Sequence, residues 1–347
     1  MDKIISFIIL AYNVEQYLHK CLDSFICLPV LGQIEVIVVD DGSVDSTGEI
    51  ADGYAKRYPH VFKVIHKENG GHGSGINVGS RQACGKYLKA IDADDWVLTE
   101  NLPDFVAQLA VCDADVVLTP FHMVDMTTGE QAAKHMQGWN AATVQIEDIL
   151  NNWKIFEECC VFHGITYRTD FYTNCGHDLP EHIFYEDQEY NTIPFCRAES
   201  IAVFQMYIYQ YLIGNAQQSI SYANQAKRID HLERVVCDLA EYYLESTDLT
   251  QSARKYLFRK LESVSLIYFA TACIYESDKR KGRNKGKAFA NELRNKMPEV
   301  YRNIRNKYYL YLTMNYIRIS PDRYQSLVQS GKYRRIKNTV KCLLKRK

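Results

Sequence analysis

Over its first hundred residues the chain alternates two hydrophobic patterns. Short unbroken apolar runs, which predict strands buried on both faces, are separated by stretches whose apolar residues recur every three or four positions, which predict helices. Ile4–Leu10 predicts the first strand, and Val14–Phe25 a helix in which Tyr17, Leu18, Cys21, Leu22 and Phe25 share one face. A strand at Glu35–Val39 follows, then a helix from Ser46 to about Tyr58 with Asp45 or Ser46 as its N-cap. Val61–His66 reads as the third strand, Ile76–Ala83 as the next helix and Tyr87–Ile91 as the fourth strand. Repeated strand–helix units predict an α/β fold, a mostly parallel Rossmann-like sheet with helices on both faces.

Beyond Trp96 the pattern loosens, with strands expected at Val116–Leu118 and Ile201–Val203. From about Ser221 it becomes helical, with long amphipathic stretches at Ala226–Glu245 and Gln251–Tyr275, and the basic, glycine-containing SDKRKGRNKGK (277–287) reads as a linker. The expected organisation is a first domain over 1–220, with one half to about 115 and a second over 116–220. A helical, basic C-terminal region takes up 221–347.

In open parallel sheets a ligand sits in the crevice beyond the carboxyl ends of the strands. Here those ends carry Ala11-Tyr12-Asn13, Asp40-Asp41, the loop Lys67–Gly75 and the run Lys89–Trp96, KAIDADDW. The last places Asp92, Asp94 and Asp95 within four residues, where they repel unless a proton, a cationic side chain or a metal ion offsets them. A hard divalent cation carrying phosphate is one such partner. The plainer reading makes the cluster the N-cap of a helix over Trp96–Gln108, with Asp95 as the cap.

Four segments together resemble the inverting family 2 glycosyltransferases of the GT-A fold: ISFIILAYNVEQYLHKCLDSF (5–25), IEVIVVDDGSVDSTGEI (34–50), GINVGSRQACGKYLKAIDADDW (75–96) and FYEDQEY (184–190). The resemblance covers residues 4–220. It implies transfer of a hexosyl or N-acetylhexosaminyl group from a nucleotide-sugar donor, UDP-linked, to a hydroxyl of a saccharide acceptor in bacterial cell-surface polysaccharide synthesis. It assigns Ala11, Tyr12, Asn13, Asp40, Asp41, Asn77, Asp92 and Ala93 to the donor, with Tyr12 on the base and Asp41 accepting from uracil. Asp94 and Asp95 then hold Mg²⁺ or Mn²⁺. Asp187 is the general base and Glu186 orients its neighbours. Trp96, His163 and Arg168, with Tyr167 and His182, are expected acceptor contacts. Where many relatives carry Arg-Asn, this chain has Ile76-Asn77, so Lys67, His72 or Arg81 must bring the positive charge. The alternative is a non-catalytic nucleotide-sugar or glycan-binding module on the same fold, which would retain a donor without turning it over.

KENGGHGSG (67–75) imitates a dinucleotide-binding loop, but Ile76 stands where the third glycine is needed and the loop follows the third strand. A dehydrogenase is excluded on that ground.

Composition and charge refine the picture. The 347 residues are 47% apolar, and no run approaches the ~20 residues of a spanning helix. IISFIILAY reads as a strand rather than a signal peptide. Eleven cysteines without a CxxC pair fit reduced thiols and a cytoplasmic protein. The net charge of −1 divides unequally: residues 1–250 hold 16 Lys/Arg and 36 Asp/Glu, residues 251–347 hold 25 and 6. KYRRIKNTVKCLLKRK (332–347) has eight basic residues around Ile336, Val340, Leu343 and Leu344. This is the pattern of a helix on an anionic membrane surface, which would place the protein peripherally on the inner face of the membrane beside a lipid-linked acceptor. A solvated terminal helix is the plain alternative. No nucleic-acid-binding motif accompanies the basic residues, so no nucleic-acid partner is expected.

Overall fold

The structure is a computed structural model, and it describes residues 3–214 and 222–329. The basic tail 332–347 lies outside the described residues. The chain forms two compact units, Met1–Asn215 and Ala216–Lys347.

The first unit is built on an eight-stranded sheet of order β3-β2-β1-β4-β10-β6-β11-β9. Its four parallel strands are β1 (Ile5–Ala11), β2 (Ile34–Asp40), β3 (Phe62–His66) and β4 (Tyr87–Asp92). Every residue of β2 is buried, and so are all but one of β1, which is why both read as unbroken apolar runs. Beyond β4 the sheet continues through β10 (Ile165–Arg168), β6 (Val116–Leu118), β11 (Ile201–Val203) and β9 (Thr143–Val144), with β10 antiparallel to both neighbours. A second sheet, which the sequence pattern did not announce, joins β5 (Trp96–Val97), β12 (Tyr209–Ile213), β7 (Phe121–Asp125) and β8 (Gln131–Lys134).

Helices α1 (Glu15–Asp23), α2 (Thr47–Arg57) and α3 (His72–Gln82) connect the parallel strands, and α4 (Leu102–Val111) follows β5. Trp96 therefore opens a strand rather than a helix, and Asp95 is no helix cap. α3 starts four residues earlier than the expected Ile76, inside the glycine-rich loop. A Cβ on Gly79 would lie 2.3 Å from Ile8 Cγ2, and one on Gly75 2.9 Å from Leu10 Cδ2, so these glycines let α3 lie directly on β1.

The second unit is helical, with helices over Ile229–Glu245, Gln251–Ala270, Lys279–Lys296, Pro298–Tyr316 and Pro321–Gln329. The expected linker is the start of the third of these. Asp278 caps it by accepting from the Arg280 and Lys281 amides at 2.9 and 3.0 Å, and Gly282 and Gly286 lie on its buried side. No helix among the described residues is long and apolar enough to cross a membrane.

Candidate active site

The carboxyl ends of β1, β2 and β4 open into one crevice with two corners. The first is a cleft of ≈ 350 Å³. Leu10, Ala11 and Tyr12 line it from β1, Val39 and Asp41 from β2, Gly71, His72 and Gly75 from α3 and its approach, and His182–Phe184 from a later loop. Two large aromatics in it are open to solvent, Tyr12 at 50% and Phe184 at 38%.

Hydrogen bonds between turns shape this cleft. Asn13, at φ 51°, takes the left-handed conformation that asparagine tolerates, and its side chain accepts from the Val44 amide at 2.9 Å. The Asn13 amide donates to Ser43 Oγ at 3.0 Å, joining the turns after β1 and β2. Asp41 accepts from Lys67 Nζ at 2.5 Å and from the Gly70 and Gly71 amides at 2.9 and 2.7 Å, so it fixes the glycine loop while facing the cleft. Asp40 turns the other way, accepting from the Ser43 amide and bonding to His66 Nδ1 at 2.8 Å. The Ala11 carbonyl accepts from the Asp41 amide at 2.9 Å.

The second corner is acidic. His72, on the first turn of α3, joins it to the cleft: Nε2 meets Asp92 Oδ1 at 2.7 Å and Nδ1 meets Glu186 Oε1 at 2.5 Å. Burial disfavours a charged ring there, but the two carboxylates outweigh it and hold His72 well above its usual range. Asp95 is buried, accepting from Tyr209 Oη at 2.6 Å and the Leu212 amide at 2.7 Å. Its burial, with repulsion from Asp92 and Asp94, pushes its carboxyl well up.

Asp92, Asp95 and His163 bring ligand atoms within 4.8 Å of one another, and half-buried Asp94 stands outside that triad. His163 Nδ1 is buried with no hydrogen-bond partner, and burial lowers the ring to about 4, leaving it neutral. A neutral imidazole with one buried nitrogen unpartnered, set beside two carboxylates that repel, is a donor set a divalent cation fits. Beneath them Lys89, fully buried and lowered by burial to about 7, donates to the His163 and Ile165 carbonyls at 2.8 and 2.9 Å and so fixes where His163 lies.

α3 also fastens the loop that carries Glu186 and Asp187. Asn77 donates to the Leu179 carbonyl and accepts from the Leu179 amide, both at 2.9 Å, and Ser74 Oγ donates to Glu181 at 3.0 Å. The His182 amide donates to the Gly70 carbonyl at 2.6 Å. With Glu186 held by His72, half-buried Asp187 follows at the start of a short helix, its Oδ2 accepting from Gln188 Nε2 at 2.9 Å. Tyr211 marks where the carboxylates converge: burial, then Asp92, Asp95, Asp94 and Asp187, push its phenol up, and its ring stacks on His163 at 4.1 Å.

Residues 6–172 match the model of Glycosyl transferase family 2. This match places a family 2 domain in the first unit. Its fold is that of S. aureus TarS: the crystal structure of TarS 1-349 in complex with UDP-GlcNAc matches at a TM-score of 0.67 and 22% identity, over 95% of this chain and 92% of that one. The uncharacterized glycosyltransferase EpsJ of Bacillus subtilis is 37% identical over 122 residues, 35% of each chain. A poly(ribitol-phosphate) beta-glucosyltransferase of Bacillus spizizenii is 28% identical over 228 residues, 63% of this chain and 34% of its own. The matched stretch spans about a third of the length of these two relatives.

The family 2 domain thus gathers Ala11, Tyr12, Asn13, Asp41, Asp92, Asp94, Asp95, Glu186 and, from the expected acceptor set, His163 around one crevice. Ala93 is buried beside Asp92, its amide donating to the Leu10 carbonyl at 3.2 Å. Trp96 is half-buried with Lys20 Nζ 3.0 Å from its ring centre. Arg168 is not brought there: it pairs with Tyr87 at the amino end of β4 and with the Asp115 and Asp170 carboxylates at 2.9 and 2.8 Å. Tyr167 is wholly buried and donates to the Tyr190 carbonyl. Of the three cations considered for the missing arginine, His72 bridges the corner, Lys67 binds Asp41 and Arg81 pairs with Asp178. Tyr209 and Tyr211 carried no sequence signal, since they reach the crevice through a sheet of short, distant strands.

Proposed function

We propose that the protein is an inverting glycosyltransferase moving a sugar from a nucleotide diphosphate donor, UDP-linked, to a hydroxyl of a saccharide acceptor. One observation carries the reading: His72 lines the nucleotide-sized cleft and bonds both acidic motifs, so cleft, carboxylate corner and Glu186-Asp187 form one site. The UDP-GlcNAc bound to TarS and the polymer substrate in the glucosyltransferase's name support the donor and acceptor classes.

In this reading the base enters beside Tyr12 and Asp41, and the diphosphate runs toward Asp92. Asp92, Asp95 and His163 would hold the metal, with Asp94 a further carboxylate beside them in the chain; the nitrogen ligand favours Mn²⁺ over Mg²⁺. The ion, when bound, offsets the charge that grows on the leaving diphosphate. Asp187 accepts the proton of the acceptor hydroxyl as its oxygen attacks the anomeric carbon, and the carbon–phosphate-oxygen bond breaks with its electron pair leaving on the nucleoside diphosphate. Such a base contributes roughly 10²–10⁴-fold in rate. Attack opposite the leaving group inverts the anomeric centre.

The test is Asp187→Asn. Transfer, and slow hydrolysis of UDP-sugars without acceptor, should disappear while UDP still raises thermal stability in the presence of Mn²⁺. Unchanged turnover would remove Asp187 from the role of base, and donor binding by the wild-type chain without any turnover would mark a binding module. A cytoplasmic, peripheral location follows if the tail meets anionic lipid; equal vesicle binding by a chain ending at Ser330 would refute it.

A further inference from the structure

The helical unit carries a groove that the transfer chemistry does not use. It measures ≈ 490 Å³ and lies among the helices over Ile229–Glu245, Gln251–Ala270 and Pro298–Tyr316. Its aromatic wall is Tyr243 and Phe258, with ring centres 5.9 Å apart. Its cations are Arg254, Lys255 and Arg302, and Glu299 is its one acid.

Several cations of the unit are already paired. Lys296 is paired with Glu292 at 2.8 Å, Arg234 with Asp238 at 2.7 Å and Lys281 with Glu276 at 3.3 Å. Lys255 and Arg302, both exposed, make no ion pair among the described residues. Arg254 is set in place: its guanidinium lies 4.2 Å from the Tyr243 ring centre and Nη1 donates to the Ser246 carbonyl at 2.7 Å. Its other N–H groups remain for a ligand. Residues 251–329 hold 17 Lys/Arg against 6 Asp/Glu, so this part of the chain carries a net positive charge that favours anions.

We infer that this groove binds an anionic saccharide chain, its negative groups on Arg254, Lys255 and Arg302 and its sugar rings along Tyr243 and Phe258. Planar guanidinium forks suit phosphate and carboxylate oxygens, and aromatic faces suit the apolar side of a sugar ring. A chain held there is a natural acceptor for the transfer proposed above. The inference names that acceptor's charge and rests on the transfer reading only for the purpose of binding. Binding itself is measured without donor or turnover, so the two readings fail separately.

The experiment titrates the full chain into fluorescein-labelled phosphomannan, with unphosphorylated mannan, inorganic polyphosphate and phosphatidylglycerol vesicles as parallel probes. The exposed pair Lys255→Glu/Arg302→Glu is compared with Arg280→Glu/Lys287→Glu, which changes net charge equally on residues outside the groove, and both are checked for wild-type unfolding curves. Wild type should bind phosphomannan more tightly than mannan or polyphosphate. The groove variant should weaken that binding at least about tenfold and flatten its salt dependence. The control variant should stay within about twofold. Equal loss in both variants, or polyphosphate binding as tight as phosphomannan, would reduce the groove to a generally cationic surface and overturn the proposal. Absence of phosphomannan binding, or a groove variant that loses only vesicle binding, would overturn it too.

Discussion

Replacing His72 with leucine tests the joint on which the site is built. The substitution keeps side-chain volume and packing against Phe162, whose ring centre is 5.3 Å away, but deletes both ring N–H groups. Glu186, with 4% of its side chain exposed, would then be buried as an anion without its imidazole partner, and Asp92, at 30%, would face it across the gap. Removing one member of a fully buried pair costs about 3–5 kcal/mol. Because His72 and Asp92 each keep nearly a third of their side chains open to the crevice, solvent screens part of this. The expected loss is therefore about 2–3 kcal/mol.

Urea unfolding followed by tryptophan fluorescence measures it in the right unit, since Trp96, Trp139 and Trp153 are the chain's three tryptophans and all lie before residue 215. Turnover should fall further than stability predicts, by about 10²-fold, because the turn carrying Asp187 loses one of its fastenings to α3. A variant unfolding within ~0.5 kcal/mol of wild type would show that the bridge does not hold the two motifs together.

Three further substitutions probe the frame that carries the site. Glu35→Gln removes a buried anion that accepts from Ser6 Oγ at 2.6 Å, the Cys84 amide at 3.0 Å and Lys63. Burial opposes that charge, but these donors outweigh it and hold the carboxyl below its usual range. The stability it contributes is therefore present above the unfolded pKa of ~4.3 and lost as pH falls through the folded value. The variant should be about 1–3 kcal/mol less stable at pH 7 and should converge with wild type in acid, with UDP binding unaltered; a gap that persists in acid would refute the assignment. Gly73→Ala would place a Cβ 2.8 Å from the Pro180 carbonyl and 2.9 Å from Glu186 Cγ, costing about 1–3 kcal/mol and slowing turnover. Gly53→Ala on α2, which meets nothing within 4 Å, should stabilise by about 0.5–1 kcal/mol in the same unfolding assay.

What the chain revealed in advance depended on how local each feature is. β1, β2 and β4 are buried on both faces, so their apolar runs and the polar residues ending them could be read without a structure. α3 was misjudged at its start because His72-Gly-Ser-Gly has poor helix propensity; close packing on β1 and on the loop at Pro180 selects those glycines. The supposed linker over 277–287 misled for the same reason, its glycines marking a buried helix side rather than flexibility. The second sheet escaped notice because its short strands gain their partners only from residues far along the chain. Tyr209 and Tyr211 were lost with it. Arg168 was placed by chain order alone, which does not tell the two ends of an antiparallel strand apart.

Position 76, where the resemblance leads one to expect arginine, can be read in the same local terms. Ile76 is wholly buried, so a guanidinium there would have to leave the core to be useful. One turn earlier, His72 already faces the crevice, and its two nitrogens point along opposite directions of a flat ring. An imidazole can therefore sit between Asp92 and Glu186 and bond both at once, where a lysine would offer a single point charge. The glycines at 73 and 75 belong to the same arrangement, because they let α3 lie close on β1 and the Pro180 loop while position 72 bonds both carboxylates. The glycine-rich loop is thus accounted for by steric need, and its likeness to a dinucleotide-binding turn is a by-product of close packing.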